Sequence, residues 1–359
     1  MVTERQNRLL QEQNALLREQ NELLRRKISA QGDGEREIYI ENINCDEMRY
    51  GYLVKSRRKK LWNVQIGLIK EFDRICKKHD LRWFAIGGTL IGAVRHKGFI
   101  PWDDDVDVAM LRPDYEKFRK IVESEIKPPY RADIWYNYRL ERDELSELTD
   151  DSLPLISLNH HKNNPLSAPL FPLIKIRDER TLFIEFPEER TFNQDVWLDV
   201  FPMDSLPPFA ENQQKLNFEG ARVLFIATVH PEIIEAFLRQ EQTLVIDSDT
   251  LRKFMSLPYK QRGIRLEEFL AENFFMSEHV GDLRDWCIIQ GERFYQSKDF
   301  RDVVYLPFEK IEIPAPIGYE SILTDFYGDW RKPVIHPSHV YDYSANISWT
   351  EYLQKTASK

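Results

Sequence analysis

The chain has 359 residues, 42% hydrophobic and 12% aromatic, which supplies one large or two moderate cores and argues against a disordered protein. A formal charge of −9 and a pI near 5.6 argue against a generally basic surface, so nucleic acid is not expected as a partner. Cys45, Cys76 and Cys287 lack the spacing of a zinc site, and no run approaches the roughly 20 apolar residues of a bilayer span, so the sequence reads as a reduced, cytoplasmic protein without a transmembrane segment.

Residues 1–30 contain a repeat, QNRLLQE, QNALLRE, QNELLRR. With Leu10, Leu17 and Leu24 at d, the a positions are Asn7, Asn14, Asn21 and Ile28, the pattern of a short coiled coil that makes the chain a homo-oligomer. A lone exposed helix and an added oligomerisation tag are the competing readings. Gln31-Gly32-Asp33-Gly34 follows as a hinge, and residues 31–60 read as a connector.

A catalytic core is expected over 61–208. The apolar spacing from Leu61 to His79 predicts a helix packed on a sheet, with Cys76 as buried filler. Leu81 to Ile86 reads as a strand, Gly87-Gly88 as a turn opening a helix from Thr89 to Arg95, and Phe99 to Met110 as the next strand. Leu170 to Ile176 and Asp195 to Phe201 read as further strands. A mainly helical part is expected over 209–345, with helices around Gln213 to Leu224, Pro231 to Leu238, Asp249 to Met255, Leu266 to Phe275 and Val280 to Phe294. Within it Val303 to Pro316 reads as a hairpin and Tyr319 to Tyr327 as a helix; residues 346–359 form a tail. The fold class is α+β, a mixed sheet flanked by helices.

The chemistry concentrates between Trp83 and Met110. If Asp103, Asp105 and Asp107 alternate with valines along one strand, they project to one face and their like charges crowd. Such crowding raises carboxylate pKa values and calls for a divalent cation, and an all-oxygen set suits magnesium or manganese. Gly87 and Gly88 let the backbone approach a phosphate, and Thr89 begins the helix whose N–H groups would face it. Arg95, His96 and Lys97 are candidates to neutralise a diphosphate; His96 fits a structural hydrogen bond equally well. Asp199 sits mid-strand on the face of Trp197 and Phe201, which calls for a metal or a charge partner, whereas Asp204 lies nearer a turn and reads as structural. Lys175 reads as a phosphate ligand or as the partner of a buried carboxylate.

The segments GGTLIGAVRHKGFIPWDDDVDV, FPLIKIRDERT, WLDVFPMD and LPFEKIEIPAPIGYESILTDFYGDW resemble the LicD family of phosphocholine transferases, over about Leu61 to His336. The resemblance implies a nucleotidyltransferase-like mixed sheet and a CDP-choline donor. It also implies transfer of phosphocholine to a hydroxyl of a surface glycan, namely lipopolysaccharide, teichoic acid or capsule, with peripheral membrane contact through a lipid-linked acceptor. By motif position Asp105 and Asp107 look like metal ligands, Asp103 assists, and Asp199 looks like a third carboxylate, acting as base or ligand. CDP-ribitol or CDP-glycerol as donor, nucleotidyl transfer, and a catalytically silent scaffold are the alternatives. Trp83, Trp102, Trp135, Tyr136, Tyr138 and Trp197 are aromatic candidates for a choline cage.

Overall fold

The computed structural model describes residues 36–137, 172–184, 193–206, 212–240, 243–282, 294–335 and 342–357. The heptads, the glycine hinge, Tyr138 and Cys287 lie outside the described residues. A small hairpin, β1 (Glu47–Arg49) and β2 (Tyr52–Val54), leads into helix α1 (Ser56–Lys78). The helix begins five residues before the expected Leu61, because the basic run there finds partners. Lys59 is fully buried on Glu47 at 2.8 Å, and Arg58 reaches the Asp103 carbonyl at 2.7 Å. A charge with a bonded partner can enter a core that would reject it alone.

The central sheet is mixed and curls around its longest strand, β8 (Trp197–Leu206). On one side β8 pairs in parallel with β4 (Asp107–Leu111), which pairs antiparallel with β3 (Phe84–Ala85). On the other side its first half pairs antiparallel with β6 (Ile174–Asp178), which carries β5 (Tyr130–Ile134), and its end pairs with β9 (His279–Gly281). Strand β9 carries β10 (Tyr295–Gln296). Helix α1 packs on β6 and β8, and helix α2 (Arg112–Glu125) packs on β4 and β8. Strand β7 (Leu182–Ile184) pairs with β13 (Asp342–Ser344), next to the last helix, Trp349–Ala357.

Two expected strands are shorter than their sequence pattern. Only Phe84–Ala85 of the Leu81–Ile86 run is strand, since Gly87 at φ +56° turns the chain. Of Phe99 to Met110, only the part from Asp107 onward is strand. Pro101 has no N–H to give to a ladder, and the Asp103 N–H closes a turn onto Ile100 at 3.0 Å. Asp103 and Asp105 therefore stand in a loop, not on the strand.

The helices Asn212–Val229, Pro231–Arg239, Ser248–Met255 and Tyr259–Glu272 follow the expected order. The expected helix Val280 to Phe294 is corrected at its start, where β9 pairs with β8 and with β10, the strand that follows Phe294; residues 283–293 lie outside the described residues. Arg112 ties this part to the sheet: it makes two bonds of 2.6 Å to Asp204 and one to Glu267, whose other oxygen accepts from the Trp135 indole at 2.6 Å. All four residues are buried.

The hairpin β11 (Val303–Phe308) and β12 (Ile311–Pro316) forms as expected, followed by the helix Tyr319–Tyr327. Its turn residue Glu309 accepts from Arg49 at 2.6 Å and from the Phe99 N–H at 3.3 Å, and its own N–H donates to the Lys97 carbonyl at 2.8 Å. No helix of the described residues is long and apolar enough to cross a membrane.

Candidate active site

The glycine pair and the acidic run are in contact. A Cβ at Gly88 would stand 2.5 Å from Asp103 Oδ2, and one at Gly87 would stand 3.3 Å from Asp107 Oδ2. Only glycine permits so close an approach, and the positive φ of Gly87 adds a second reason. Thr89 fastens the same contact from the helix side: its hydroxyl accepts the Asp107 N–H at 2.9 Å. The helix begins at Gly87, two residues earlier than expected, and after Ile91 it widens into a π-helical turn, Gly92–His96.

Asp103, Asp104 and Asp105 bring ligand oxygens within 4.8 Å of one another. The carboxyl of Asp103 is pushed well above the usual carboxylate range, first by burial, then by the charge and hydrogen bond of Asp105 and the charges of Asp107 and Asp104. Asp104 joins the group because the run is a loop; strict strand alternation would have turned it to the opposite face. From below, helix α1 holds the main chain of the run. Arg58 and the Trp62 indole donate to the Asp103 carbonyl at 2.7 and 3.0 Å, and Gln65 donates to the Asp104 carbonyl at 2.7 Å.

Asp199 stands on β8 in register with Asp107 on one side and with Lys175 on the other. Lys175 Nζ lies 2.9 Å from Asp199 Oδ1 and 4.2 Å from the centre of the Trp197 ring. The Trp197 indole donates to Asp199 Oδ2 at 2.9 Å. Asp199 is thus held from two directions at the edge of the acidic run. Asp204, five residues on, is the buried partner of Arg112.

Arg95, His96 and Lys97 lie on and just after the π-helical turn. Arg95 donates to the Trp330 carbonyl at 2.6 Å and to His96 Nε2 at 2.8 Å. His96 lies edge-on to Tyr50 and Trp102; burial, then the charges of Arg95 and Arg49, lower its pKa to about 4, so it accepts from Arg95 as a neutral ring. Lys97 is exposed and its ammonium donates to the Val94 carbonyl at 3.0 Å. Of the aromatic candidates, Trp197 bonds a site carboxylate and Trp102 precedes the run, whereas Trp83, Trp135 and Tyr136 are committed to Asp73, Glu267 and Arg119.

Sequence reasoning missed Arg58, Trp62, Gln65 and Asp104. The first three recur at i, i+4 and i+7, a visible stripe, but a stripe in which an indole and an amide look like core filler.

The family model described as LicD/FKTN/FKRP, nucleotidyltransferase domain, matches residues 80–220, a span that contains the glycine pair, the acidic run, Lys175 and Asp199. The lipopolysaccharide cholinephosphotransferase LicD of Haemophilus influenzae is 23% identical over 286 residues, covering 75% of this chain and 89% of that protein. An uncharacterized protein of Rickettsia typhi is 37% identical over 67 residues, 19% of this chain and 21% of its own length. One of Rickettsia prowazekii is 36% identical over 55 residues, 15% and 21% respectively. The domain match frames the whole acidic site and assigns residues 80–220 to the LicD-type nucleotidyltransferase domain, and along most of its length the chain is similar to a transferase.

Proposed function

We propose that the chain moves phosphocholine from CDP-choline to a hydroxyl of a cell-surface glycan, releasing CMP, with a divalent cation held at the acidic run. The observation that carries this reading is the contact of Gly88 with Asp103: a turn that admits a phosphate presses on carboxylates that would hold its counter-cation. Support for phosphocholine and for lipopolysaccharide as acceptor comes from the name of the Haemophilus influenzae relative.

The side chains fit Mg2+ or Mn2+. Three carboxylates with oxygens within 4.8 Å form a hard, all-oxygen donor set, and the burial and crowding that raise Asp103 are what a dication relieves. Asp103, Asp104 and Asp105 are the three brought together and would hold the ion, with Asp107, against Gly87, as a further ligand. When bound, the ion supplies charge neutralisation for the diphosphate and the departing CMP. Asp199 accepts the proton of the acceptor hydroxyl. That oxygen then forms its bond to the phosphorus bearing choline as the bond to the CMP oxygen breaks, in line. Lys175 and the Trp197 indole hold the Asp199 carboxylate for this role. Gly87, Gly88 and Thr89 line the approach to the diphosphate, and Arg95, His96 and Lys97 flank it.

The test is incubation with Mg2+ or Mn2+ and a panel of CDP-choline, CDP-ribitol and CDP-glycerol, measuring CMP release with and without lipopolysaccharide, teichoic acid or capsule. CMP release that needs both CDP-choline and a glycan is the expected result; turnover confined to another CDP-alcohol overturns the choline assignment. A second reading, transfer of the nucleotide itself, follows from the description of the family model. Release of phosphocholine in place of CMP from CDP-choline, or of diphosphate when a nucleoside triphosphate is added to the panel, identifies it.

A further inference from the structure

Helix α1 carries three buried donors on one stripe, Arg58, Trp62 and Gln65, and all reach main-chain oxygens of the acidic run. Packing alone does not require them. The Trp62 ring stacks on Phe99 at 4.9 Å, a contact that a phenyl ring can also make and that does not need the indole N–H. Gln65 brings into the core an amide whose Oε1 has no partner among the described residues, a cost that an apolar side chain of the same length avoids. What the donors accomplish is directional. With the Asp103 and Asp104 carbonyls fixed on the helix side, the carboxylates are the oxygens left to converge beside Gly88.

Resting on the cation site proposed above, we propose that Arg58, Trp62 and Gln65 are positioning residues of that site. They hold the main chain of Asp103 and Asp104 so that the carboxylates of Asp103, Asp104 and Asp105 share one coordination sphere before a hard divalent cation arrives. Groups that orient ligands without touching the ion commonly change metal affinity by about 10- to 100-fold when lost. Trp62 and Gln65 act through carbonyls alone, whereas Arg58 also lies 3.9 Å from Asp104 Oδ2, so loss of either of the first two loosens the ligand geometry while leaving every ligand in the chain.

The experiment titrates Mn2+ alone into the full chain, followed by calorimetry and by the spin-resonance signal of the free ion. Trp62→Phe keeps an aromatic ring beside Phe99 and removes the N–H together with part of the buried ring volume, so its Tm falls for packing reasons and only its Mn2+ affinity is compared. Gln65→Met keeps side-chain length and removes the donor together with the unpaired oxygen. The Mn2+ dissociation constant is expected to rise about tenfold or more in each, with the metal-free Tm of Gln65→Met close to wild type. A purely structural role gives the opposite split, a lowered Tm with unchanged Mn2+ affinity, and overturns the proposal. Asp105→Asn serves as the reference. If it abolishes Mn2+ binding while the two variants bind like wild type, the cation site stands and the positioning role falls; if wild type takes up no Mn2+, both fall. Should Trp62→Phe fail to fold, Gln65→Met decides alone.

Discussion

Asp107 and Asp199 are registered partners on adjacent parallel strands, so their side chains leave the same face of the sheet, with Lys175 next in the row beyond Asp199. Two carboxylates and one ammonium side by side leave a net negative edge against the acidic run. Asp199 can therefore serve as base or as ligand, and substitution separates the roles. Asp199→Asn is expected to lower turnover by roughly 10²- to 10⁴-fold, the usual range for loss of a general base, with Mg2+ and CDP-choline affinity retained. Calorimetric titration with Mg2+ and a non-reactive CDP-choline analogue makes the comparison. A matching loss of affinity assigns Asp199 to the metal instead.

Gly88→Ala puts a methyl group 2.5 Å from Asp103 Oδ2, inside any real contact distance. Either the carboxylate or the turn must move, and both belong to the site. We expect turnover to drop by at least about 100-fold, on the scale of a 1 Å misplacement. Circular dichroism should remain that of the wild type. Gly87→Ala adds about 1–2 kcal/mol of backbone strain at φ +56° and should lower Tm as well.

Asp103 gives a pH-dependent stability with a defined sign. Its folded pKa is raised above the ordinary value of 3.8, so the stability it contributes is present below that value and is lost as pH climbs through the folded pKa. Asp103→Asn cannot ionise and escapes the loss. The metal-free variant should melt higher than wild type at pH 7, and the gap should close as pH falls toward 4. Thermal melts in EDTA across that range decide it; equal melting at every pH contradicts the assignment.

Arg112→Met strands the buried carboxylates of Asp204 and Glu267 without their cation. Removing one partner of such a network costs about 3–5 kcal/mol. A urea midpoint lowered accordingly is the expected outcome.

Deleting residues 1–30 should lower the oligomeric state and leave the globular part folded, because the heptads precede a glycine hinge and share no pattern with it. Light scattering that returns an unchanged mass removes the coiled coil as the assembly element.

Most elements were legible where local pattern and tertiary setting agree. The turn between Phe308 and Ile311 and the helix Tyr319–Tyr327 carry their own punctuation, and β6 and the first half of β8 are apolar runs in which Lys175 and Asp199 each stand between apolar neighbours. The acidic run was legible in composition and misread in conformation. Alternating Asp and Val is the pattern of a half-buried strand, and what overrides it at Asp103 and Asp104 is distant in sequence: donors on α1 that claim the carbonyls a ladder would use. Arg58 and Lys59 fall outside the expected helix because a basic run reads as solvent-facing, and only their partners make burial acceptable. Lys175 against Asp199 was among the open readings, and the register of β6 on β8 brings the pair together.

The contact of Glu309 with Phe99 and Arg49 spans 210 and 260 positions of chain. A ribosome adding roughly 5–20 residues per second delivers Glu309 on the order of 10 to 40 s after Phe99. The loop between the glycine turn and the acidic run thus waits for its last fastening until the hairpin of β11 and β12 has been made. Synthesis that stalls before the hairpin leaves a polypeptide with every acidic ligand present and the loop beside them unfastened, so an interrupted product carries the chemistry in its sequence without the means to hold it in shape.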